Sequence, residues 1–199
     1  RQLSLFQDAL DLKEVQWLGM DISEFFNLLA PQMHQNYQVI TSDNIDQLPP
    51  KFSIFFAKGV TLLYAIRSCD QLFQMINQSE LAVFDYSLSL GDTEERLIGT
   101  GKSVLYISSK EFLSASRKYG KSFWVRTRTS RVIHAENRIH IEAIWGSEEK
   151  LSEFTILDRN LRSEFIKDMD EKLHIQLSQK SQDDNIWQPL NEFLSENEI

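Results

Sequence analysis

A series of short β-rich segments between residues 52 and 145 constrains the fold of this chain more than any other feature. The runs at 52–57 and 60–66 are separated by Lys58-Gly59, a two-residue turn that favours a hairpin. The run at 81–90 alternates apolar and polar residues, as a strand with two different faces does. Because tight turns join antiparallel neighbours, this pattern predicts an antiparallel sheet.

Helical patterns flank the β-rich region on both sides. Apolar residues recur at helical spacing over 3–18 and 21–29, and again over 158–177, where Asp158 is a candidate N-cap. Two shorter helices are predicted at 70–77 and 110–119, the second ending at Gly120 as its C-cap, and a strand is predicted over 98–107. The fold class that follows is α+β, with an antiparallel sheet of about six strands flanked by N- and C-terminal helices.

Charge divides the chain into three regions of one predicted domain, 1–199. The helical N-terminal region, 1–50, holds 2 basic and 7 acidic residues, the sheet core, 51–147, holds 13 and 9, and the helical C-terminal region, 148–199, holds 6 and 13. The whole chain carries a net charge of -8, which argues against a dedicated nucleic-acid binder. The acidic terminal helices are instead candidates for contact with a protein partner.

The single cysteine, Cys69, cannot form an intramolecular disulfide, which favours the reducing cytoplasm. No Cys/His spacing matches a metal site, and no apolar run is long enough to span a membrane. The glycine-containing stretch 99–103 lacks the first glycine of a phosphate loop. We therefore expect no metal, no cofactor and no membrane insertion.

The last predicted hairpin can be assigned a register. A three-residue loop, 135–137, lets Asn137 take the left-handed conformation. One sheet face then collects the apolar residues Phe123, Val125, Ile139, Ile141, Ala143 and Trp145. The opposite face is polar apart from one tryptophan and holds Trp124, Arg126, Arg128, His140 and Glu142.

This polar face is the candidate functional site. The guanidinium groups of Arg126 and Arg128 suit a planar carboxylate, and Glu142 beside them could orient a ligand or exchange protons with it. The alternative is a solvated face on which Arg128 and Glu142 form a cross-strand ion pair.

Residues 81–145 run strand, turn, strand, helix, strand, strand, with Lys118-Tyr119-Gly120-Lys121 before Phe123 and Ile141-Glu142 in the last strand. This order resembles chorismate lyase and the related effector-binding domains of bacterial repressors. In the lyase family a glutamate of the last strand and an arginine of an earlier hairpin engage an aromatic carboxylate. Glu142 matches the glutamate, whereas Tyr86 stands where the arginine is expected. The resemblance implies a buried small-molecule pocket, with Arg126 or Arg128 replacing that arginine.

The sequence thus predicts a domain that binds a small anionic or aromatic carboxylate, with lyase-like catalysis left open. Its catalytic residue would be Glu142, and its ligand-binding residues would be Arg126, Arg128, His140, Tyr86 and Trp124. The alternative is a non-catalytic interaction or scaffold protein that engages a partner through its acidic terminal helices, with Trp187, Leu190 and Phe193 as contacts.

Overall fold

A computed structural model describes residues 17–21, 37–41, 52–57, 66–97, 99, 101, 103–126, 137–173 and 186–196. The chain divides into two compact units, residues 1–49 and 50–199. The single domain predicted from the sequence stays a prediction. None of the helices in the described segments is both long and apolar enough to cross a membrane.

The first unit contains a pair of parallel strands, β1 (Trp17–Asp21) and β2 (Tyr37–Thr41), aligned so that Trp17 lies opposite Tyr37. The sequence analysis placed Trp17 and Leu18 at the end of a helix and predicted no strand at 37–41, and both predictions are wrong. A short run such as Trp-Leu-Gly-Met fits the period of a helix as well as that of a buried strand. The predicted helix at 21–29 lies outside the described residues, except for Asp21.

Within the described residues, the main sheet of the second unit has five strands in the spatial order β3-β4-β8-β7-β9. Their bounds are β3 Phe52–Ala57, β4 Ser79–Ser89, β7 Ser122–Arg126, β8 Arg138–Gly146 and β9 Gln188–Pro189. Strands β3 and β4 are parallel, and the other three neighbouring pairs are antiparallel.

The predicted antiparallel sheet of about six strands is therefore wrong, because the sheet is mixed and has five strands. Helix α1 (Cys69–Asn77) follows β3 in the chain and precedes β4. A helical crossover returns the chain to the same end of the sheet, so the next strand runs parallel. The hairpin predicted around Lys58-Gly59 lies outside the described residues.

Helices α1 and α2 (Ser109–Tyr119) both begin at a serine N-cap. The hydroxyl of Ser68 accepts a hydrogen bond from the backbone N–H of Gln71, and the hydroxyl of Ser108 accepts one from Glu111. Helix α2 ends at Gly120, whose φ of 61° places it in the left-handed region. The predicted C-cap at this glycine is confirmed.

A separate two-stranded hairpin, β5 (Glu94–Leu97) and β6 (Ser103–Tyr106), lies between β4 and α2 in the chain. The sequence analysis predicted one strand over 98–107, but the glycines Gly99 and Gly101 lie in the hairpin connection instead. Because glycine adopts positive φ at little cost, as Gly101 does at 73°, it belongs in a turn more readily than in a strand.

Helix α3 (Glu148–Leu173) begins ten residues earlier than the sequence predicted. The backbone carbonyl of Ser147 accepts from the N–H of Leu151, so the helix starts there and Asp158 lies inside it. The short helix α4 (Leu190–Glu196) follows β9 and buries Leu190, Phe193 and Leu194.

The two faces of the main sheet carry different side chains. On the side of α1 and α2 the sheet contributes Phe84, Tyr86, Phe123 and Trp145, and the helices contribute Phe73 and Phe112. We call these six side chains the aromatic face. Phe123 lies opposite Trp145 in the register of β7 and β8, which confirms that the two share a face as predicted. Asn137 has a φ of 68°, which confirms its predicted left-handed conformation. The other face packs Leu81, Val83, Ile144, Leu151 and Trp187 together.

Candidate functional site

Arg126 is the centre of a buried group of charges on the face opposite the aromatic face. It is the last residue of β7 and is 8% exposed. Its Nε donates to Oε2 of Glu142 at 2.5 Å, and its Nη1 donates to Oδ2 of Asp158 at 2.8 Å. Two predicted site residues, Arg126 and Glu142, are thus hydrogen-bonded to each other.

Trp187 completes this group. The guanidinium carbon of Arg126 lies 4.1 Å from the centre of the indole ring, and the indole N–H donates to Oδ2 of Asp158 at 3.1 Å. We call Arg126, Glu142, Asp158 and Trp187 the Arg126 cluster. It connects β7, β8, α3 and the segment that precedes β9.

The geometry of the Arg126 cluster determines its chemistry. A charge-assisted pair enclosed by protein is held in one arrangement, because breaking it would leave an uncompensated charge away from water. Glu142 is 2% exposed and Asp85, opposite it on β4, is 5% exposed. Asp85, Glu142 and Arg126 therefore form a line of charged residues across three adjacent strands.

On the same sheet face, the next pair of residues toward the carboxyl end of β4 is Ser87 and His140. They lie directly opposite each other on β4 and β8, and Oγ of Ser87 is 3.1 Å from Nδ1 of His140. Both side chains are half-buried. His140 combines a titratable group with partial access to solvent.

The remaining predicted site residues are dispersed. Tyr86 belongs to the aromatic face, where its hydroxyl donates to the backbone oxygen of Leu105 at 2.7 Å and burial raises the pKa of its phenol. Trp124 is half-buried against the apolar cluster that contains Ile144 and Leu151, and its buried indole N–H has no hydrogen-bond partner among the described residues. Arg128 lies outside the described residues, so its role stays a prediction.

Sequence reasoning missed three members of the site: Asp85, Asp158 and Trp187. Asp158 was interpreted as a helix cap, and Trp187 lies 61 positions along the chain from Arg126. The alternation of β4 places Asp85 on the same face as Ser87, and this was the one signal that could have been used. Among the described residues, no group of three His, Cys, Asp or Glu side chains is placed to hold a metal ion.

A second polar junction lies where the hairpin β5–β6 leaves β4. The hydroxyl of Thr93 accepts from the backbone N–H of Ser108 and forms a hydrogen bond with the Cys69 thiol. Burial, together with the negative charge of Glu111, raises the pKa of this thiol. Because a protonated thiol is a weak nucleophile, we assign Cys69 no chemical role.

Comparison with known proteins gives structural neighbours only. No family model matches the chain, and no curated protein matches it in sequence. The structure is similar to the N-terminal domain of EvdMO1 in the presence of S-adenosylhomocysteine (SAH) and D-fucose. The TM-score is 0.51, with 14% identity over 71% of each chain.

Two further neighbours are S-adenosylmethionine-dependent or SAH-bound methyltransferases. The Burkholderia thailandensis 1,6-didemethyltoxoflavin-N1-methyltransferase has a TM-score of 0.45, 11% identity and coverage of 66% of this chain and 61% of its own. A methyltransferase from Clostridium acetobutylicum has a TM-score of 0.45, 10% identity and coverage of 67% and 75%.

These findings overturn the predicted family and function. The fold resembles the Rossmann-like α/β fold of the EvdMO1 domain, and the resemblance to chorismate lyase is wrong. Carboxylate binding with lyase-like catalysis is wrong as well, because it depended on the resemblance to chorismate lyase, which the fold does not support. The scaffold alternative loses its predicted contacts, since Trp187, Leu190 and Phe193 are buried within the second unit.

Proposed function

We propose that this chain binds S-adenosylmethionine and takes part in methyl transfer. The observation that carries the proposal is the likeness, at a TM-score of 0.51, to a domain whose structure was determined in the presence of SAH. The parallel crossover from β3 through α1 to β4 supports it, because helical crossovers of this kind build the sheets that bind nucleotide-like cofactors.

Asp21 is the residue that we propose to bind the ribose of the cofactor. It is the last residue of β1, which pairs in parallel with β2. In doubly wound sheets, ligands bind outside the carboxyl ends of the strands, and an acidic residue there accepts hydrogen bonds from ribose hydroxyls. S-adenosylmethionine contains a ribose, so a carboxylate at this backbone position fits it.

The glycine pattern of the chain adds nothing to this assignment. Gly99-Thr100-Gly101 connects the antiparallel strands β5 and β6, whereas a glycine-rich cofactor turn joins a parallel strand to a helix. The proposal therefore depends on Asp21 and the fold. When bound, S-adenosylmethionine would supply an electrophilic methyl group, and the protein would bind and orient the reactants.

The proposed ligand is a small molecule, and the proposed compartment is the cytoplasm. The single cysteine supports a reducing compartment, and an intracellular cofactor is compatible with it. A protein partner at the terminal helices stays a prediction.

Isothermal titration of SAH and S-adenosylmethionine into the purified chain tests the function. We expect saturable binding that Asp21→Asn weakens about tenfold or more, since the substitution removes a charged hydrogen-bond acceptor. Asp70→Asn is the matched control, because the side chain of Asp70 is 79% exposed and its substitution should leave the affinity unchanged.

Absence of binding to both ligands by the folded chain would contradict the proposed function. Equal loss of affinity in Asp21→Asn and Asp70→Asn would contradict the assignment of Asp21 alone.

A further inference from the structure

One face of β3 stays partly exposed although the strand belongs to the main sheet. Among the described residues β3 is the outermost strand, and its Ile54 and Phe56 lie opposite Leu81 and Val83 of β4. Leu81 and Val83 are buried in the apolar cluster on the α3 side, whereas Ile54 is 63% exposed and Phe56 is 46% exposed. The apolar face of the sheet therefore continues beyond the part that packs against α3. We call Ile54 and Phe56 the β3 patch.

Helix α3 also exposes apolar side chains. Its Leu151 is buried in the same cluster, and Phe154 packs against that cluster. Ile156 and Leu157, within the next turn, are 60% and 53% exposed, and we call them the α3 patch. Sheets bury their apolar faces against helices, and helices bury their apolar stripes against sheets. The second unit thus has an exposed apolar sheet face and an exposed apolar helix face, each suited to the other.

The charges in the sequence around the two patches are opposite in sign. The segment 47–69, which contains β3, has three basic residues and no acidic residue. The segment 148–157, which contains the α3 patch, has three acidic residues and one basic residue. A surface that carries both patches is therefore complementary to a second copy of itself in polarity and in charge.

We propose that two copies of this chain associate about a two-fold axis, with the α3 patch of each copy on the β3 patch of the other. An interface of this kind is isologous, so each contact occurs twice. Each copy provides a helix for the exposed sheet face of the other, and both apolar patches are removed from water. This inference goes beyond the proposed function and does not depend on it.

Sedimentation equilibrium of the whole chain over a range of concentrations tests the association. We expect a monomer–dimer equilibrium in which Leu157→Glu raises the dissociation constant at least about tenfold, because a carboxylate would lie in an apolar contact. Ile54→Lys should have a similar effect for the same reason. Leu97→Glu is the matched control, since Leu97 is an equally exposed leucine on the hairpin β5–β6 and its substitution should leave the dimer unchanged.

Mixing the two variants tests the arrangement of the dimer. In a mixed dimer of Leu157→Glu with Ile54→Lys, one contact keeps both native side chains, and the other sets the new carboxylate opposite the new ammonium group. We therefore expect the mixed dimer to form at least about tenfold more tightly than the dimer of either variant alone. Native mass spectrometry distinguishes the three species. Circular dichroism checks the fold of each variant, and one folded variant is sufficient to test the association.

A chain that stays monomeric at concentrations up to about 1 mM would overturn the proposal, and this is the result expected if another part of the same chain occupies the patches. A dimer that both Leu157→Glu and Ile54→Lys leave unchanged would also overturn it, because the contact would then lie elsewhere. Dimers that both substitutions weaken, but that mixing does not restore, would overturn the arrangement of helix on strand.

Discussion

The two faces of the main sheet bury different kinds of side chain. The aromatic face consists of rings whose neighbouring centroids lie 4.5 to 6.5 Å apart, and it needs few polar contacts. The opposite face buries the charged line of Asp85, Glu142 and Arg126 beneath α3 and Trp187. Apolar contacts are non-directional, whereas buried charges require specific partners. The aromatic face should therefore provide stability, and the charged face should provide a defined arrangement.

The largest effect that we expect is the loss of a ring from the aromatic face. Phe112 is fully buried, and its ring centroid lies 4.5 Å from that of Phe123. Phe112→Ala should lower the free energy of unfolding by about 3 to 5 kcal/mol, because a cavity remains. Urea denaturation measures this. Leu97→Ala, at a side chain that is 79% exposed, should change little. A loss below about 1 kcal/mol for Phe112→Ala would contradict the rigid packing.

A somewhat smaller loss is expected on the charged face. Arg126→Met removes the guanidinium that lies between Glu142 and Asp158, and should cost about 3 kcal/mol because buried carboxylates lose their counter-charge. The double variant Arg126→Met with Glu142→Leu should recover part of this loss. Chemical denaturation of the three proteins gives the coupling. Strictly additive losses would show that the two side chains act independently.

Tyr86→Phe tests a polar contact of the aromatic face. Loss of the hydrogen bond to Leu105 should cost about 1 kcal/mol at neutral pH. Because burial raises the pKa of Tyr86 above its unfolded value of about 10, the folded protein retains the phenol proton more strongly. The stability of the parent protein should thus be complete below pH 10 and fall above it. Denaturation at pH 8 and 10.5 should show a smaller fall in the variant.

The smallest effect concerns the end of helix α2, which covers the aromatic face. Gly120 has a φ of 61°, and a Cβ there would meet no atom within 4 Å. Gly120→Ala should therefore cost about 1 kcal/mol from backbone strain alone. Gly120→Asn should cost less, since asparagine tolerates this conformation. Thermal unfolding of the two variants measures the difference, and equal midpoints would exclude strain as the cause.

Local patterns predicted several elements of the second unit. Helices α1 and α2 begin and end within one residue of the predicted bounds, and Gly120 after α2 was predicted as its C-cap, because these signals involve neighbouring residues only. Alternation along β8 placed Ile141 and Glu142 on opposite faces correctly, because the strand period is two whatever the partner strand is. The presence of Arg126 and Glu142 on one face was predicted for the same reason.

The direct contact between these residues was not predicted. The hairpin analysis placed Arg128 near Glu142, whereas the register sets Arg126 opposite Glu142. A three-residue loop at 135–137 would set Arg126 opposite Gly146, so the predicted register is wrong by four residues. An even shift leaves each side chain on its predicted face. Asp158 and Trp187 enter the site from α3 and the C-terminal segment, and no local spacing indicates which side chain covers which strand.

The sequence by itself determined where many of the helices and strands of the second unit lie and which side chains share a face, since caps, periods and turns depend on neighbouring residues. Only the tertiary structure decided that β3 and β4 run parallel, that the sheet is mixed, and that Arg126 lies between two carboxylates and a tryptophan. The direction of a strand and the contacts between distant parts of the chain depend on how those parts pack together. Sequence periodicity does not encode that packing.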